Sequence, residues 1–220
     1  MHLLKVLTCA AVIAPLLSAP AFAQTWEGAY AGLQIARTGH IPRGFNTSAP
    51  ATNYTGTQAD AENIALFAGY NWDVARSFVV GIEADVTFGE LTGQGPLNTN
   101  PTTIFSHNFS NVKSLRGRVG FDAGRILPFV SFGVTRVDFE HGAKDTALPF
   151  INPPLANARL TGKTLGMGAD FTVGSQGFLR IEVSQTVFAN ESLPGRLFVV
   201  PITASNLNLT QARIGYALRF

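Results

Sequence analysis

Charged residues stand two apart inside apolar segments of this 220-residue sequence, and this spacing could support chemistry. Glu83 and Asp85 form one such pair, and Arg116 and Arg118 form another. Successive side chains of a β-strand point to opposite faces, so residues two apart share a face. If that face lines an interior, each charge needs a partner, because an unpaired buried charge is costly. The predicted network of cross-paired interior charges comprises Glu83, Asp85, Arg116, Arg118, Asp170, Arg180, Glu182, Arg213 and Arg219.

Metal binding and nucleophilic catalysis are the other kinds of chemistry to consider. His40, His107 and His141 lie in three segments rich in turn-forming residues, where a metal or haem site is conceivable, although solvated loop histidines are far commoner. Ser106 beside His107 could belong to a lipid-modifying site, but the spacing defines no third partner. Gly166-Met-Gly168 lacks the third glycine of a dinucleotide site and instead predicts packing space inside a strand. We expect no catalytic, cofactor-binding or metal-binding residue, no cofactor and no enzymatic activity.

The elements that must position these side chains are β-strands, because the apolar residues recur with a period of two. The clearest strand runs from Phe78 to Phe88, and its eleven residues are about the length that a tilted strand needs to cross a bilayer. Seven further alternating segments are predicted, namely Trp26 to Thr38, Ile64 to Trp72, Leu115 to Phe121, Pro128 to Glu140, Arg159 to Val173, Leu179 to Ser184 and Gln211 to Phe220.

The fifth predicted strand, Pro128 to Glu140, contains one irregularity. Val130, Phe132 and Val134 share a face, but Val137 and Phe139 fall on the polar parity. A β-bulge near the end of the strand would explain this slip of phase, and so would a different register.

The connections between the predicted strands alternate between long and short. The long ones are rich in Gly, Pro, Asn and Thr, and they comprise Gly39 to Asp60, Gly89 to Ser110, His141 to Ala158 and Asn190 to Ser205. A barrel inserted into a membrane from one side has this asymmetry. Aromatic residues beside the short turns and the C-terminus suit an interfacial girdle. They are Tyr70, Trp72, Phe78, Phe121, Phe129, Phe171, Phe178, Tyr216 and Phe220.

The composition supports a membrane-embedded sheet. Only 14% of the residues are charged, where roughly 25% is usual for a soluble globular domain. The region after residue 23 has no apolar run of about 18 residues, which excludes a transmembrane helix, whereas a lipid-facing strand is polar at every second position. We therefore predict an all-β fold, an eight-stranded antiparallel up-and-down transmembrane β-barrel whose first strand closes on its last.

The N-terminus has the features of a cleaved secretory signal peptide over residues 1–23. Lys5 precedes the apolar stretch Val6 to Leu17, and small residues at Ala21 and Ala23 stand before Gln24. Residues 24–220 then form the barrel domain. Without Lys5 the basic residues nearly balance the 14 acidic ones, so no attraction to nucleic acid is expected. The single cysteine, Cys9, lies in this leader, so the sheet must be stable without disulfides.

Several segments together resemble a known family. They are Trp26-Glu-Gly-Ala-Tyr-Ala-Gly32, Ala68-Gly-Tyr-Asn-Trp72, Val80-Gly-Ile-Glu-Ala-Asp85, Leu115-Arg-Gly-Arg-Val-Gly120 and Arg213-Ile-Gly-Tyr-Ala-Leu-Arg-Phe220. In order and spacing the chain is similar to the small eight-stranded outer-membrane barrels of Gram-negative bacteria, the opacity-porin-like or OmpA-like surface antigens. The resemblance implies an outer-membrane location, recognition of the terminal strand with Phe220 by the barrel-assembly machinery, and structural, antigenic or adhesive roles. It carries over no shared catalytic residue.

The functional expectation is a non-enzymatic barrel that contributes to envelope integrity and displays four surface loops. Its expected partners are outer-membrane lipid, lipopolysaccharide, the barrel-assembly machinery and a host or surface ligand at the loops. One rival is a small ion-conducting pore, since water gaps could pass ions even though eight strands leave no room for a diffusion channel. Others are a lipid A-modifying enzyme and a soluble lipocalin-type barrel, which would need an apolar interior. Counted from the short turns, Glu83 and Arg116 lie at similar heights, and so do Asp170 and Arg180.

Overall fold

The computed structural model describes residues 25–40, 45–47, 59–75, 77–97, 100–145, 154–189, 191–193, 202–204 and 207–220. The predicted signal peptide, residues 1–23, lies outside these ranges. The strands are β1 (Gly28–His40), β2 (Phe45–Thr47), β3 (Ala59–Ala75), β4 (Phe78–Phe88), β5 (Leu91–Leu97), β6 (Asn100–Phe121), β7 (Ile126–Asp145), β8 (Pro154–Val173), β9 (Gly177–Phe188), β10 (Glu191–Leu193), β11 (Ile202–Ala204) and β12 (Asn208–Arg219). Within the described ranges, no helix is long and apolar enough to cross a membrane.

Eight of these strands form one closed antiparallel sheet. In the order β1, β3, β4, β6, β7, β8, β9 and β12, each strand pairs with the next. The sheet closes because β1 also pairs with β12, with Tyr30 opposite Arg219 and His40 opposite Leu209. This pairing confirms the predicted eight-stranded antiparallel up-and-down barrel. A separate small sheet joins β10, β11 and β2.

The two faces of the barrel wall differ as the alternation predicts. On β3, Ile64 and Leu66 are exposed on the outside, whereas Ala65 and Phe67 are buried inside. On β9, buried and exposed residues alternate from Phe178 to Phe188. The outward side chains of the middle of the wall are apolar, and the inward ones are largely polar or charged. A lipocalin-type cavity would need apolar side chains on the inner face, and this barrel wall has the reverse arrangement.

The predicted long loops Gly89 to Ser110 and His141 to Ala158 are wrong over much of their length. β5 pairs with the first part of β6, so Leu91–Leu97 and Asn100–Phe109 form a hairpin that extends the barrel wall. β7 continues to Asp145, and β8 begins at Pro154. Above the apolar band the outer face of a strand no longer meets lipid, so strand pairing there does not require apolar residues on that face. The other two predicted long loops are Gly39 to Asp60 and Asn190 to Ser205. Apart from short stretches of strand, they lie largely outside the described residues.

The phase slip of the fifth predicted strand does not come from a bulge in that strand. In β7 the inward parity continues unbroken through Val137 and Phe139, which are both buried. The bulge lies on the partner strand β6, between Ser110 and Lys113, where Asn111 has a positive φ of 51°. The apparent slip arises because the interior itself changes from polar to apolar at this height.

The aromatic girdle is confined to the outward-pointing members of the predicted set. Tyr70, Trp72, Phe78 and Phe121 are exposed on the outside, near the short turns. Phe129 and Phe178 are instead buried in the interior, so their assignment to the girdle is wrong. Their position follows from the alternation, because Phe129 precedes outward Val130 and Phe178 precedes outward Leu179.

Candidate functional site

The interior charges meet because their strands are neighbours in the barrel. Glu83 on β4 stands directly opposite Arg116 on β6, and Asp170 on β8 stands directly opposite Arg180 on β9. In an antiparallel pair, such opposite side chains on the same face lie close enough to interact. Both pairs make contact, at 2.7 Å between Glu83 Oε1 and Arg116 Nη2 and at 2.7 Å between Asp170 Oδ1 and Arg180 Nε.

Glu83 accepts hydrogen bonds from three strands. Its Oε1 accepts from Arg116, and its Oε2 accepts from the hydroxyl of Tyr30 at 2.8 Å and from Arg180 Nη1. Arg118 Nη1 lies 3.7 Å from the same Oε2 and donates to the Tyr30 hydroxyl at 3.2 Å. One carboxylate therefore links β1, β6 and β9 across the lumen.

Asp170 is the second hub of this network. Arg180 donates to both of its oxygens, from Nε at 2.7 Å and from Nη2 at 3.0 Å, which is the bidentate geometry that makes an arginine–carboxylate pair strong. Arg118 Nη2 adds a third contact at 2.6 Å. The two guanidinium groups also lie over the ring of Phe129, at 4.0 Å for Arg118 and 5.1 Å for Arg180. Each cation thus has both anionic and aromatic neighbours.

The loop-side half of the network surrounds Arg116 and Arg213. Arg116 contacts Glu182 and lies 3.0 Å from Asp85 Oδ1. Arg213 Nη1 lies 3.3 Å from Asp85 Oδ1 and 3.6 Å from Glu182 Oε2. Ser131 donates to Glu182 at 3.2 Å. Two arginines and two carboxylates therefore alternate around this part of the lumen.

These contacts unite eight of the nine predicted interior charges in one ionic layer, and this layer is electrically balanced. Its members are the carboxylates Glu83, Asp85, Asp170 and Glu182 and the guanidinium groups Arg116, Arg118, Arg180 and Arg213. All eight are almost fully buried. Because four carboxylates meet four guanidinium groups, the layer carries no formal net charge.

Arg219 is not part of the ionic layer, and its predicted cross-pairing is wrong. Its Nη1 donates to the backbone oxygen of Thr25 at 2.8 Å, and its guanidinium lies 4.9 Å from the centre of the Trp26 ring. Among the described residues no ion pair involves it. β12 brings Arg219 to the turn end of the barrel, beside Trp26.

Aromatic side chains close the turn end of the lumen below the ionic layer. Trp26 packs edge-on against Phe178 with ring centres 6.1 Å apart, and Tyr30 packs against Phe178 at 5.5 Å. The indole nitrogen of Trp26 donates to Asp122 Oδ1 at 3.1 Å and to the backbone oxygen of Gly124 at 3.2 Å. These bonds hold the Trp26 ring across the mouth, next to the turn between β6 and β7.

Hydroxyl groups form the next layer on the loop side. Ser114, Thr135, Thr164 and Thr186 are joined in a chain of hydrogen bonds across β6, β7, β8 and β9, with oxygen separations of 2.9, 2.5 and 2.8 Å. Gln211 Nε2 donates to Thr38 Oγ1 at 3.1 Å on the other side of the barrel. In this hydroxyl layer, short polar side chains satisfy one another by hydrogen bonds.

An apolar cluster fills the lumen at its loop end. Phe109 and Phe139 pack with ring centres 4.9 Å apart. The cluster consists of Leu91, Phe109, Val112, Val137, Phe139, Leu160, Phe188, Leu207 and Leu209. A cavity of about 10 Å³ lies where this cluster meets the hydroxyl layer, beside Thr38 and Asn63, and it has room for about one water molecule. The lumen is thus filled by four stacked layers.

The sequence analysis considered metal binding by three histidines and catalysis involving Ser106. His107 and His141 stand opposite each other on β6 and β7, so both lie in strands and not in loops, and His40 ends β1. The side chains of these histidines lie outside the described residues. Ser106 is opposite Gly142 in register. Within the described part of the chain, no group of three His, Cys, Asp or Glu residues could hold a metal ion.

The sequence analysis did not predict three parts of this interior. Tyr30 bonds Glu83, the hydroxyl layer crosses four strands, and the apolar cluster fills the loop end. The available signal was parity, because Ser114 shares a face with Arg116 and Arg118 on β6. Tyr30 and Thr135 likewise lie on the face opposite the exposed apolar residues of their own strands. Val137 and Phe139 carried the signal for the apolar cluster.

Comparisons with known proteins agree with this architecture. A family model described as the outer membrane protein beta-barrel domain matches residues 9–220. No curated protein sequence matches the chain. Among solved structures, the chain is similar to the outer membrane protein OprG from Pseudomonas aeruginosa, with a TM-score of 0.53 and 12% identity over 88% of this chain and 96% of that one.

Two further solved structures are similar in fold. The outer membrane protein AlkL in DMPC lipid bilayers gives a TM-score of 0.51 and 14% identity, covering 92% of this chain and 94% of that chain. Ail, the attachment invasion locus protein of Yersinia pestis, in complex with the heparin analogue sucrose octasulfate, gives 0.47 and 8% identity, covering 88% of this chain and 99% of that chain. At such low identities the similarity concerns the fold alone.

Proposed function

Because the chain belongs to the family of the outer membrane protein beta-barrel domain and is therefore an outer-membrane barrel, we propose that it is a non-enzymatic structural protein with a lumen closed by its own side chains. The observation that carries this proposal is the stacking of aromatic, ionic, hydroxyl and apolar layers along the interior. Such a barrel contributes to envelope integrity and carries surface loops.

The packed interior favours a closed barrel over an ion-conducting one. An ion that entered the lumen would have to displace Arg180 and Asp170 from their bidentate contact, and these side chains are entirely buried. It would also have to cross the apolar cluster around Phe109 and Phe139, where no polar group replaces its hydration shell. Both barriers lie in series, so steady conduction requires the layers to rearrange.

The unequal ends of the barrel support the display of loops on the outer side. Short turns such as Gly174 to Gly177 close one end, whereas β6, β7 and β8 continue far beyond the apolar band at the other. We propose that the loop end faces outward and presents antigenic or adhesive surface to a host or surface ligand. Assembly would proceed through the C-terminal strand, with Phe220 read by the barrel-assembly machinery.

The test is electrical recording from the purified full-length barrel in planar bilayers. A closed lumen predicts little or no steady conductance, together with a heat-dependent shift in gel mobility that shows the barrel to be folded. A general porin inserted under the same conditions serves as the positive control. A large, stable conductance from the folded protein would replace this proposal with the pore function.

A further inference from the structure

On three adjacent strands, a basic residue lies at the loop-side edge of the apolar band on the outer wall. Counted from the short turns towards the loop end, Lys113 on β6 is the next outward residue after Leu115, Arg136 on β7 is the next after Val134, and Lys163 on β8 is the next after Leu165. In each strand the cation is the first charged outward residue on the loop side of the band. The residues Lys113, Arg136 and Lys163, here called the cationic trio, therefore lie at one height on the outer surface.

Strand register brings the cationic trio together. Lys113 stands directly opposite Arg136, and Lys163 is two residues from Thr161, the partner of Arg136. Directly opposite side chains have Cβ atoms about 5 Å apart, and diagonal neighbours lie about 7–8 Å apart. Three long, exposed basic side chains can thus converge on a single group of ligand size.

No ion pair joins the trio to a carboxylate in the described part of the chain. The charge of Lys113 acts on the carboxylate of Asp138, but this carboxylate accepts its hydrogen bonds from Arg159 at Oδ1 and from Asn111 at Oδ2, each at 2.9 Å. The opposite side of the barrel differs, because Arg37 on β1 stands directly opposite Glu62 on β3. The three cations of the trio therefore stand together without an ion pair, whereas Arg37 has a carboxylate opposite it in register.

We propose that the cationic trio binds the phosphate groups of a phosphorylated glycolipid in the outer leaflet, as found in lipopolysaccharide. This inference rests on the proposed outward orientation of the loop end and names the lipid contact of the barrel. The apolar residues directly below the trio would contact the acyl chains of the same lipid molecule. Arginine forms forked bonds to phosphate and lysine supplies point charges, so the trio matches such a headgroup.

A lipid is favoured over a free anion by the position of the trio. The three cations lie on an open, convex wall and not in a pocket, so a small soluble anion would remain hydrated there. A lipid phosphate is held at this height by its acyl chains, whose contact with Leu115, Val134 and Leu165 fixes it beside the cations. Both halves of the ligand are needed for tight binding.

Native mass spectrometry of the folded full-length barrel, titrated with bisphosphorylated lipid A, tests the proposal. The native protein should retain one lipid A molecule, and the triple variant Lys113→Gln/Arg136→Gln/Lys163→Gln should bind it about tenfold more weakly or worse. Arg37→Gln removes a basic residue that stands opposite Glu62 on another part of the rim. It is the control for loss of a rim cation outside the trio and should bind lipid A as the native protein does. The triple Lys113→Arg/Arg136→Lys/Lys163→Arg should retain binding.

Two further binding measurements distinguish a lipid phosphate from a free anion as the ligand. Lipid A stripped of its phosphates should bind the native barrel as weakly as the phosphorylated form binds the triple variant. Millimolar inorganic phosphate should not compete, and competition would identify a free-anion site and overturn the lipid assignment. Equal lipid A binding by the native and triple-variant barrels would also overturn it. The heat-dependent gel shift of each variant is read separately, so loss of folding is distinguished from loss of binding.

Discussion

Glu83 and Arg116 stand directly opposite each other on β4 and β6, and the Glu83 Oε1 to Arg116 Nη2 distance is 2.7 Å inside a wall that excludes bulk water. Neither residue belongs to an isolated pair. Glu83 also contacts Arg180, and Arg116 also contacts Glu182. The interior therefore behaves as one network in which each charge has several partners.

A double-mutant cycle on this pair measures how strongly the network is coupled. Glu83→Ala and Arg116→Ala should each cost about 3–5 kcal/mol of unfolding free energy, because each strands buried charges of the opposite sign. The double change Glu83→Ala with Arg116→Ala removes one charge of each sign, so the layer keeps no formal net charge and the cost should be clearly less than the sum. Urea unfolding in detergent micelles, followed by tryptophan fluorescence, provides the measurement. Strictly additive losses would mean that the two charges are independent and hydrated.

Gly166 is expected to be intolerant of any side chain because the ionic layer occupies the space beside it. A Cβ built there would lie 2.5 Å from Ser131 Oγ and 2.8 Å from Glu182 Oε1. Gly166→Ala should displace Glu182 from Arg116 and destabilise the barrel by roughly 1–3 kcal/mol. Gly117→Ala is the matched control, since its Cβ would meet only Phe132 at an ordinary 3.4 Å. Equal unfolding midpoints for the two variants would contradict this account.

Asp138 should titrate at unusually low pH. It lies on the loop side of the apolar band, and its pKa is lowered from 3.8 first by the hydrogen bond from Arg159 and then by that from Asn111. A lowered pKa means that these contacts stabilise the fold above about pH 4 and that this small contribution is lost as the pH falls through the folded-state value. NMR titration of the Asp138 carboxyl carbon should show the shift, and Arg159→Gln should raise the pKa towards 3.8. An unchanged titration in that variant would exclude Arg159 as the main cause.

Much of this interior was predictable because a membrane barrel obeys two simple rules. Lipid outside requires apolar side chains at every second position, so parity alone assigned Glu83 and Arg116 to the lumen, and counting from the short turns set them at one height. The same rules fail where lipid no longer contacts the wall. Gly89 to Ser110 therefore suggested a loop although it pairs as a hairpin, and Val137 and Phe139 suggested a bulge although they point into an apolar interior.

Contacts that cross the lumen were beyond prediction from pairs of neighbouring strands. Arg180 reaches Glu83 from the far side of the barrel, and Arg213 reaches Asp85. Which side chains meet across the interior depends on the tilt and stagger of the whole wall, and single-strand periodicity contains no such information. Arg219 shows the converse error, because correct parity did not reveal that its guanidinium would bond the backbone of Thr25 and lie over the Trp26 ring.

Phe220 provides the last prediction, which separates stability from assembly. Its backbone nitrogen donates to the oxygen of Ala29 at 2.9 Å, but its ring is 80% exposed. Phe220→Ala keeps the backbone bond, so the purified variant should refold in detergent with an unfolding midpoint close to that of the native barrel. In cells, the amount assembled in the outer membrane should fall severalfold if the ring is what the assembly machinery recognises. Phe78→Ala removes another exposed aromatic ring near a turn and should assemble normally. Equal assembly of both variants would show that the Phe220 ring is not a recognition signal, whereas a matching loss of refolding in detergent would make its role one of stability.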